Sequence, residues 1–151
     1  MNTRQHPVMI AAGGTGGHMF PAVSLASALS ARGHSILFVT DPRGGQVTSD
    51  VLGLPKTVMR HTISARSLGG GPKGLVAGIN ALARGFFESQ RLIRENEPAI
   101  AVGFGGYPSV PPILAAGFAG IPTVIHEQNA VLGRANRRLA RGAHAFALSF
   151  E

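Results

Sequence analysis

The sequence predicts an α/β fold built on a doubly wound parallel β-sheet, and two of its features carry this prediction. Short apolar runs rich in β-branched residues alternate with longer segments of helical spacing, which is typical of βαβ units. Each apolar run also ends at a glycine or a polar cluster. We therefore expect one domain over residues 1–151, with strands at about 8–12, 35–40, 57–62, 99–103, 122–126 and 143–149.

Helices are expected between these strands. The first should span about 21–32, because Pro21 suits the first position of a helix and Gly33 ends it. A long helix over about 75–95 follows from apolar residues that recur at helical spacing, namely Leu75, Ile79, Leu82, Phe86 and Ile93.

Three further segments complete the expected order of elements. Residues 64–73 contain too many glycines for regular structure and should form a mobile loop. Beyond the fourth strand, a helix should begin at Pro111 or Pro112, and another should cover about 132–141.

Composition and charge restrict the classes of function. The chain has no cysteine, which excludes disulfides and thiolate metal sites, and its apolar run at 8–12 is too short to cross a bilayer or to act as a signal peptide. A formal net charge of +7 predicts an anionic partner, such as nucleic acid, phosphate or acidic lipid. With no tryptophan and a single tyrosine, stacking on nucleic-acid bases is disfavoured, which favours the lipid and phosphate partners.

The first predicted strand runs directly into the glycine-rich segment 13–18, and a helix follows. This arrangement exposes backbone N–H groups and a helix N-terminus to an anion. The dinucleotide-binding fingerprint fails here, because Met19 stands where its third glycine would lie. Asp41, at the end of the second strand, keeps a nicotinamide-dependent enzyme open as an alternative. His18 is a candidate base near neutral pH, and the alternative is that it caps the helix.

Two further polar segments follow later strands. The glycine turn at 103–107 contains Gly105, Gly106 and Tyr107, whose hydroxyl is suited to orient a sugar or a phosphate. Glu127 is a second candidate base or a residue that positions His18. Asn129 is a candidate donor to a sugar hydroxyl or diphosphate, or else the N-cap of a helix. Because ligands of open α/β sheets bind at the carboxyl edge, we expect 13–18, 103–107 and 126–129 to line one cleft.

These three segments together resemble the MurG family of N-acetylglucosaminyltransferases. The resemblance rests on residues 13–22, 103–109 and 126–136, which read GGTGGHMFPA, GFGGYPS and HEQNAVLGRAN and occur in the family's order. It implies a Rossmann-like domain that forms the N-terminal, acceptor-binding half of a GT-B glycosyltransferase. A C-terminal donor-binding domain would lie outside this chain, and this half alone would be inactive.

The resemblance also implies substrates and residue roles. N-acetylglucosamine would pass with inversion from UDP-N-acetylglucosamine to an undecaprenyl-pyrophosphoryl-muramoyl-pentapeptide acceptor in peptidoglycan synthesis. No metal and no other cofactor is expected, since the sequence has no Asp-x-Asp pair. Thr15, Gly16, Gly17 and Asn129 would reach the donor, whereas His18, Tyr107 and Glu127 would serve acceptor binding or catalysis.

Basic and apolar residues in two segments of the chain indicate contact with an anionic membrane surface. On the helix expected at 132–141, Arg134, Arg137, Arg138 and Arg141 fall within an arc of about 100°. The segment that contains Lys73, Leu75 and Arg84 has the mixed character of a shallowly inserting helix. We expect peripheral attachment to the cytoplasmic face of the bacterial inner membrane. The alternative is that the apolar residues of this segment, Leu75, Ile79 and Phe86, face the core.

Two rival functions remain open at the level of sequence. A nucleic-acid binder is supported by charge alone, and no recognition motif is present, so nucleic acid is not an expected partner. The other rival is a GT-B transferase with a different lipid-linked or diacylglycerol acceptor, because glycine loops do not specify the sugar.

Overall fold

The computed structural model describes residues 6–13, 16–45 and 53–150. Within them the chain forms six parallel strands in the order β3-β2-β1-β4-β5-β6, which confirms the predicted α/β fold and all six predicted strands. The strands are β1 (Val8–Ala11), β2 (Ile36–Thr40), β3 (Met59–Thr62), β4 (Ile100–Gly103), β5 (Thr123–Glu127) and β6 (Ala145–Leu148).

Four α-helices accompany the sheet in the described residues. They are α1 (Gly16–Ala31), α2 (Gly71–Asn96), α3 (Val110–Phe118) and α4 (Arg134–Leu139), with short 3-10 turns at Tyr107–Ser109 and Ala140–Gly142. Residues 42–45 are also helical.

Apolar side chains cover both faces of the sheet. Alternate residues of a strand point to opposite faces, so Met9 belongs to one buried cluster and Ile10 to the other. The first cluster receives Leu92 from α2 and Ile113 from α3, and the second receives Met19 from α1. The central strands are therefore buried between α1 on one side and α2 and α3 on the other, as expected for a doubly wound fold.

The first helix begins at Gly16 rather than at Pro21, so its predicted start was wrong. Glycines have low helix propensity, which made 16–17 look like loop, yet Pro21 lies inside the helix. Proline there removes one backbone hydrogen bond. The Ser24 hydroxyl donates to the carbonyl of Phe20 at 2.9 Å, beside that gap.

The glycine-rich segment 64–73 is irregular up to residue 70, but its last residues belong to α2, which begins at Gly71 with Pro72 in its first turn. This start lies four residues before the predicted one at Leu75, the first apolar position. The segment packs tightly on the helix: a Cβ added at Gly85 would lie 2.0 Å from the carbonyl oxygen of Ser64. Glu88 also accepts hydrogen bonds from the backbone N–H and the hydroxyl of Ser64, at 2.6 and 3.0 Å.

Candidate active site

The three polar segments predicted to share a cleft lie next to each other at the carboxyl edge of the sheet. Ala11 pairs with Gly103, and Gly103 pairs with Ile125, so β1 and β4 end at one level and β5 continues two residues beyond it. The backbone N–H of Phe104 then donates to the carbonyl of Ala11 at 2.9 Å. Segment 13–18 follows β1, segment 103–107 begins at the last residue of β4, and segment 126–129 contains the end of β5.

The turn after β4 approaches the first segment more closely than any side chain would allow. Gly105 and Gly106 have φ values of 90° and 74°, which favour glycine. A Cβ at Gly105 would lie 3.0 Å from Nδ1 of His18, and one at Gly106 would lie 2.5 Å from the carbonyl oxygen of Gly13. Glycine at both positions therefore brings this backbone against the His18 ring.

His18 lies in the first turn of α1 and is half-buried. Its Nδ1 atom is 2.5 Å from the side-chain nitrogen of Gln128, which follows β5. The ring is thus held across the cleft from a different strand, instead of capping its own helix. Among the described residues, none forms a hydrogen bond with Nε2 of His18, so this atom is available to a substrate.

Glu127 is buried, with a relative exposure of 1%, and its carboxylate accepts four hydrogen bonds. Oε1 accepts from the backbone and side-chain nitrogens of Asn129 at 3.1 and 2.8 Å. Oε2 accepts from the backbone nitrogen of Gly133 and the side chain of Asn136, both at 2.9 Å. Burial alone would raise the pKa of Glu127, but these hydrogen bonds together outweigh it and hold that pKa below its usual range.

Two side chains without a predicted role complete this arrangement, Gln128 and Asn136. Asn136 is buried in α4 and also donates to the backbone carbonyl of His126 at 3.0 Å. Both residues stood within motifs already singled out, but only the fold shows which side chains they contact. His126 packs on Phe104, with ring centroids 4.8 Å apart, and burial is the main reason that its pKa is lowered.

The other residues predicted to bind substrate surround this group. Gly16 and Gly17 are exposed at the start of α1, and half-buried Tyr107 begins a 3-10 turn. Thr15 lies outside the described residues. Asn129 is exposed, and its side chain bonds to Glu127; since the N-cap of α4 is Gly133, the capping alternative for Asn129 was wrong.

The carboxylate of Asp41, which supported the nicotinamide alternative, is already engaged. It is 1% exposed and accepts hydrogen bonds from the backbone of Gly44 at 3.0 Å and from Arg43 at 2.9 Å. This arrangement caps the helical residues 42–45 and leaves little capacity for a ribose. In the described part of the chain, no group of three or more His, Cys, Asp or Glu side chains is placed to hold a metal ion.

The residues predicted to meet a membrane surface are exposed. These are Lys73, Leu75 and Arg84 on α2, and Arg134, Arg138 and Arg141 on α4 and the turn after it. Leu75 and Ile79 are 45% and 53% exposed, so the alternative that they face the core was wrong, whereas Phe86 does pack against it. Within the described ranges, no helix is both long and apolar enough to pass through a membrane.

Comparison with known proteins agrees with the family resemblance of the sequence. Residues 8–148 match the model of the glycosyltransferase family 28 N-terminal domain. The chain is 50% identical over 144 residues to the UDP-N-acetylglucosamine--N-acetylmuramyl-(pentapeptide) pyrophosphoryl-undecaprenol N-acetylglucosamine transferase of Rhodospirillum centenum. This match covers 95% of the chain but only 37% of that relative, so the chain spans little more than a third of its length.

Solved structures show a similar likeness. The crystal structure of Acinetobacter baumannii MurG superposes with a TM-score of 0.78 at 33% identity, covering 97% of this chain and 42% of that one. The calicheamicin glycosyltransferase CalG4 superposes with a TM-score of 0.63 at 20% identity, covering 87% and 32%. At that identity, the second likeness shows the shared fold alone.

Proposed function

Since the chain belongs to the glycosyltransferase family 28 N-terminal domain family, we propose that it is the acceptor-binding half of an inverting N-acetylglucosaminyltransferase. The donor is UDP-N-acetylglucosamine, and the acceptor is undecaprenyl-pyrophosphoryl-N-acetylmuramoyl-pentapeptide. A second, C-terminal domain supplies most of the donor site. The observation that carries the proposal is the imidazole of His18, held at the sheet edge between two glycine turns with Nε2 facing no protein partner in the described chain.

The proposed reaction uses His18 as the general base. Nε2 takes the proton of the acceptor's 4-hydroxyl while that oxygen forms a bond to C1 of the N-acetylglucosamine unit. The bond between C1 and the diphosphate oxygen breaks, and its electron pair leaves with UDP. Attack on the side opposite the leaving group inverts the configuration at C1.

Two glycine turns provide the polar environment for this step. The N-terminus of α1, with Gly16 and Gly17, presents a positive helix end to the donor diphosphate. Asn129 contacts the donor sugar from the other side. Gly105, Gly106 and Tyr107 line the acceptor side, where the two glycines bring the backbone against the His18 ring.

The geometry favours His18 over Glu127 as the base. A carboxylate that accepts four hydrogen bonds while buried has no free lone pair directed at a substrate. Its lowered pKa also makes Glu127 a weaker proton acceptor than an ordinary carboxylate. We assign Glu127 the role of fixing the segment that follows β5, which includes Gln128 and Asn129.

Acceptor trials on the full-length protein that contains this chain test the proposal. Labelled N-acetylglucosamine is supplied as its UDP derivative together with the pyrophosphoryl-muramoyl-pentapeptide lipid, diacylglycerol or no acceptor. Transfer is expected only to the first. Transfer to diacylglycerol would support the rival lipid transferase. Absence of transfer, with tight salt-dependent binding to arbitrary DNA, would support the nucleic-acid rival instead.

We also propose that one side of this half docks on the anionic cytoplasmic leaflet of the inner membrane. On α2, the exposed residues Leu75, Val76, Ile79 and Phe87 lie within an arc of about 120°, given 3.6 residues per turn. Lys73 and Arg84 border this stripe on one side. An exposed apolar stripe beside cations is the pattern of a helix that lies in a membrane interface.

The apolar stripe continues onto α3. Phe86 forms edge-to-face contacts with Phe87 and with Phe118, at centroid distances of 5.7 and 5.6 Å, and Phe118 is 79% exposed. An apolar groove of about 260 Å³ then runs from Leu114 and Phe118 to Leu139 and Gly142. Gly142 adjoins Arg141, so exposed apolar and basic groups meet on one side of the domain.

Co-sedimentation with vesicles tests this docking. The full-length protein should pellet with phosphatidylglycerol vesicles more than with phosphatidylcholine vesicles, because each basic residue near an anionic surface contributes about 1 kcal/mol. A variant with serine at Leu75, Val76 and Ile79 should lose binding, whereas Met59→Ser, at the opposite edge of the sheet, should retain it. Equal recovery with both lipids, or unchanged binding by the triple variant, would contradict the proposal.

A further inference from the structure

The side-chain amide of Gln128 lies beside two histidines. Its nitrogen is 2.5 Å from Nδ1 of His18. Its oxygen is buried without a hydrogen-bond partner, and so is Nδ1 of His126. The side chain of Gln128 also raises the pKa of His126, against the larger lowering effect of burial. The amide therefore joins the histidine of α1 to the strand end of β5.

The partner of Nδ1 determines what Nε2 of His18 can do. A neutral imidazole carries one proton, so a proton on Nδ1 leaves a lone pair on Nε2, and a proton on Nε2 makes that atom a donor. An amide has a donor at one end and an acceptor at the other, and a rotation about its last bond exchanges the two. The base role requires the orientation in which the Gln128 oxygen faces Nδ1.

We propose that Gln128 is a positioning residue whose amide oxygen accepts Nδ1–H of His18 and thereby keeps Nε2 as the proton acceptor. In this orientation the amide nitrogen can donate to the unpaired Nδ1 of His126. This inference rests on the proposed function, because it concerns the reaction assigned to His18. Gln128 itself exchanges no proton. When Nε2 takes the proton of the acceptor hydroxyl, the positive charge that develops on the ring is stabilised by the same oxygen.

The groups near the His18 ring bear on the pH profile that tests this proposal. The turn after β4 contributes Gly105 and Gly106 to the contact, and its titratable residue is Tyr107. From β5 come His126 and Glu127; α4 contributes the neutral amide of Asn136, and its arginines are exposed. A change made at Gln128 alone leaves all of these groups in place.

Two substitutions in the full-length protein separate positioning from packing. Gln128→Glu keeps the shape and offers only acceptors, so it locks the proton on Nδ1 and adds a negative charge that favours the protonated ring. The acid limb of kcat/KM should move to higher pH by about one unit, with activity retained above it. Gln128→Met keeps the length without the hydrogen bond. Its kcat should fall about 10- to 100-fold, part of the 10²- to 10⁴-fold that a general base provides, with both KM values within about two-fold.

Several outcomes would overturn the inference. The first is a Gln128→Glu enzyme whose kcat/KM profile keeps its acid limb at the wild-type pH. The second is a Gln128→Glu enzyme that is as slow as Gln128→Met at every pH. The third is a Gln128→Met enzyme with wild-type kcat. If Gln128→Met fails to fold, the Gln128→Glu pH profile still decides. The proposed function fails separately, when the unmodified protein transfers no sugar. Suppose instead that the unmodified enzyme is active and its His18→Ala variant is inactive. Gln128 variants with wild-type kinetics would then reject only the present inference and leave the proposed function intact.

Discussion

Replacing Glu127 with glutamine tests whether this carboxylate organises the site. The substitution preserves shape but turns one oxygen into an NH₂ group. Each carboxylate oxygen accepts one backbone N–H, from Asn129 or from Gly133, and one side-chain amide. The side-chain amides can rotate to offer an oxygen, but a backbone N–H cannot. Whichever way the new glutamine turns, one backbone N–H in this closed environment faces another donor.

The magnitude follows from these contacts. One backbone N–H left unpaired costs about 1–3 kcal/mol, and the remaining hydrogen bonds lose the contribution of the charge. Glu127→Gln should therefore lower the free energy of unfolding by about 2–4 kcal/mol. Urea unfolding measures this as a lower midpoint with an unchanged slope.

The matched control is Glu95→Gln, the same chemical change at an exposed pair. Glu95 is 50% exposed and bonds to Arg91 one helical turn away, so its substitution should leave the urea midpoint nearly unchanged. A Glu127→Gln protein as stable as this control would refute the organising role. A Glu127→Gln protein with wild-type stability that no longer transfers sugar would instead indicate that Glu127 acts on the substrate.

Three further predictions concern glycines in helices, the pH dependence of the Glu127 contribution, and Tyr107. Gly85→Ala forces a Cβ against the carbonyl of Ser64 and should destabilise by about 1–3 kcal/mol in urea unfolding, whereas Gly117→Ala, with nothing within 4 Å, should stabilise by about 0.5–1 kcal/mol. Because the pKa of Glu127 is lowered by folding, its contribution is complete above the ordinary carboxylate range and is lost as pH falls through the lowered value. Between about pH 7 and about pH 3, the urea midpoint of Glu127→Gln should therefore fall less than that of the wild type. Tyr107→Phe should raise the acceptor KM about five-fold, equivalent to one hydrogen bond of about 1 kcal/mol, with kcat unchanged in steady-state kinetics.

Most of the fold was predictable because strands and their ends follow from local patterns. Six apolar runs bounded by glycine or polar clusters located all six strands. Helix starts were less predictable. Gly16 and Gly17 resemble loop by propensity, yet α1 extends through them. The contact of Gly85 with Ser64 was also beyond sequence reasoning, since it depends on how a loop lies on a distant helix.

The candidate site was predictable in its location but not in its connections. Parallel strands end at one edge, so three polar segments after β1, β4 and β5 had to meet there. The sequence left His18 and Glu127 unranked as base. Only the fold shows that Glu127 is enclosed by Asn129, Gly133 and Asn136, whereas His18 keeps one nitrogen free of described partners. Such a difference depends on hydrogen bonds between residues far apart in sequence.

Single-turnover transfer by the His18→Ala protein tests the central claim most directly. The full-length enzyme is mixed with saturating labelled UDP-N-acetylglucosamine and lipid acceptor, and the rate of the first transfer is compared with that of the unmodified enzyme. If Nε2 of His18 removes the acceptor proton, the rate should fall by about 10²- to 10⁴-fold in a protein that remains folded. A folded His18→Ala enzyme that transfers at the wild-type rate would contradict the account.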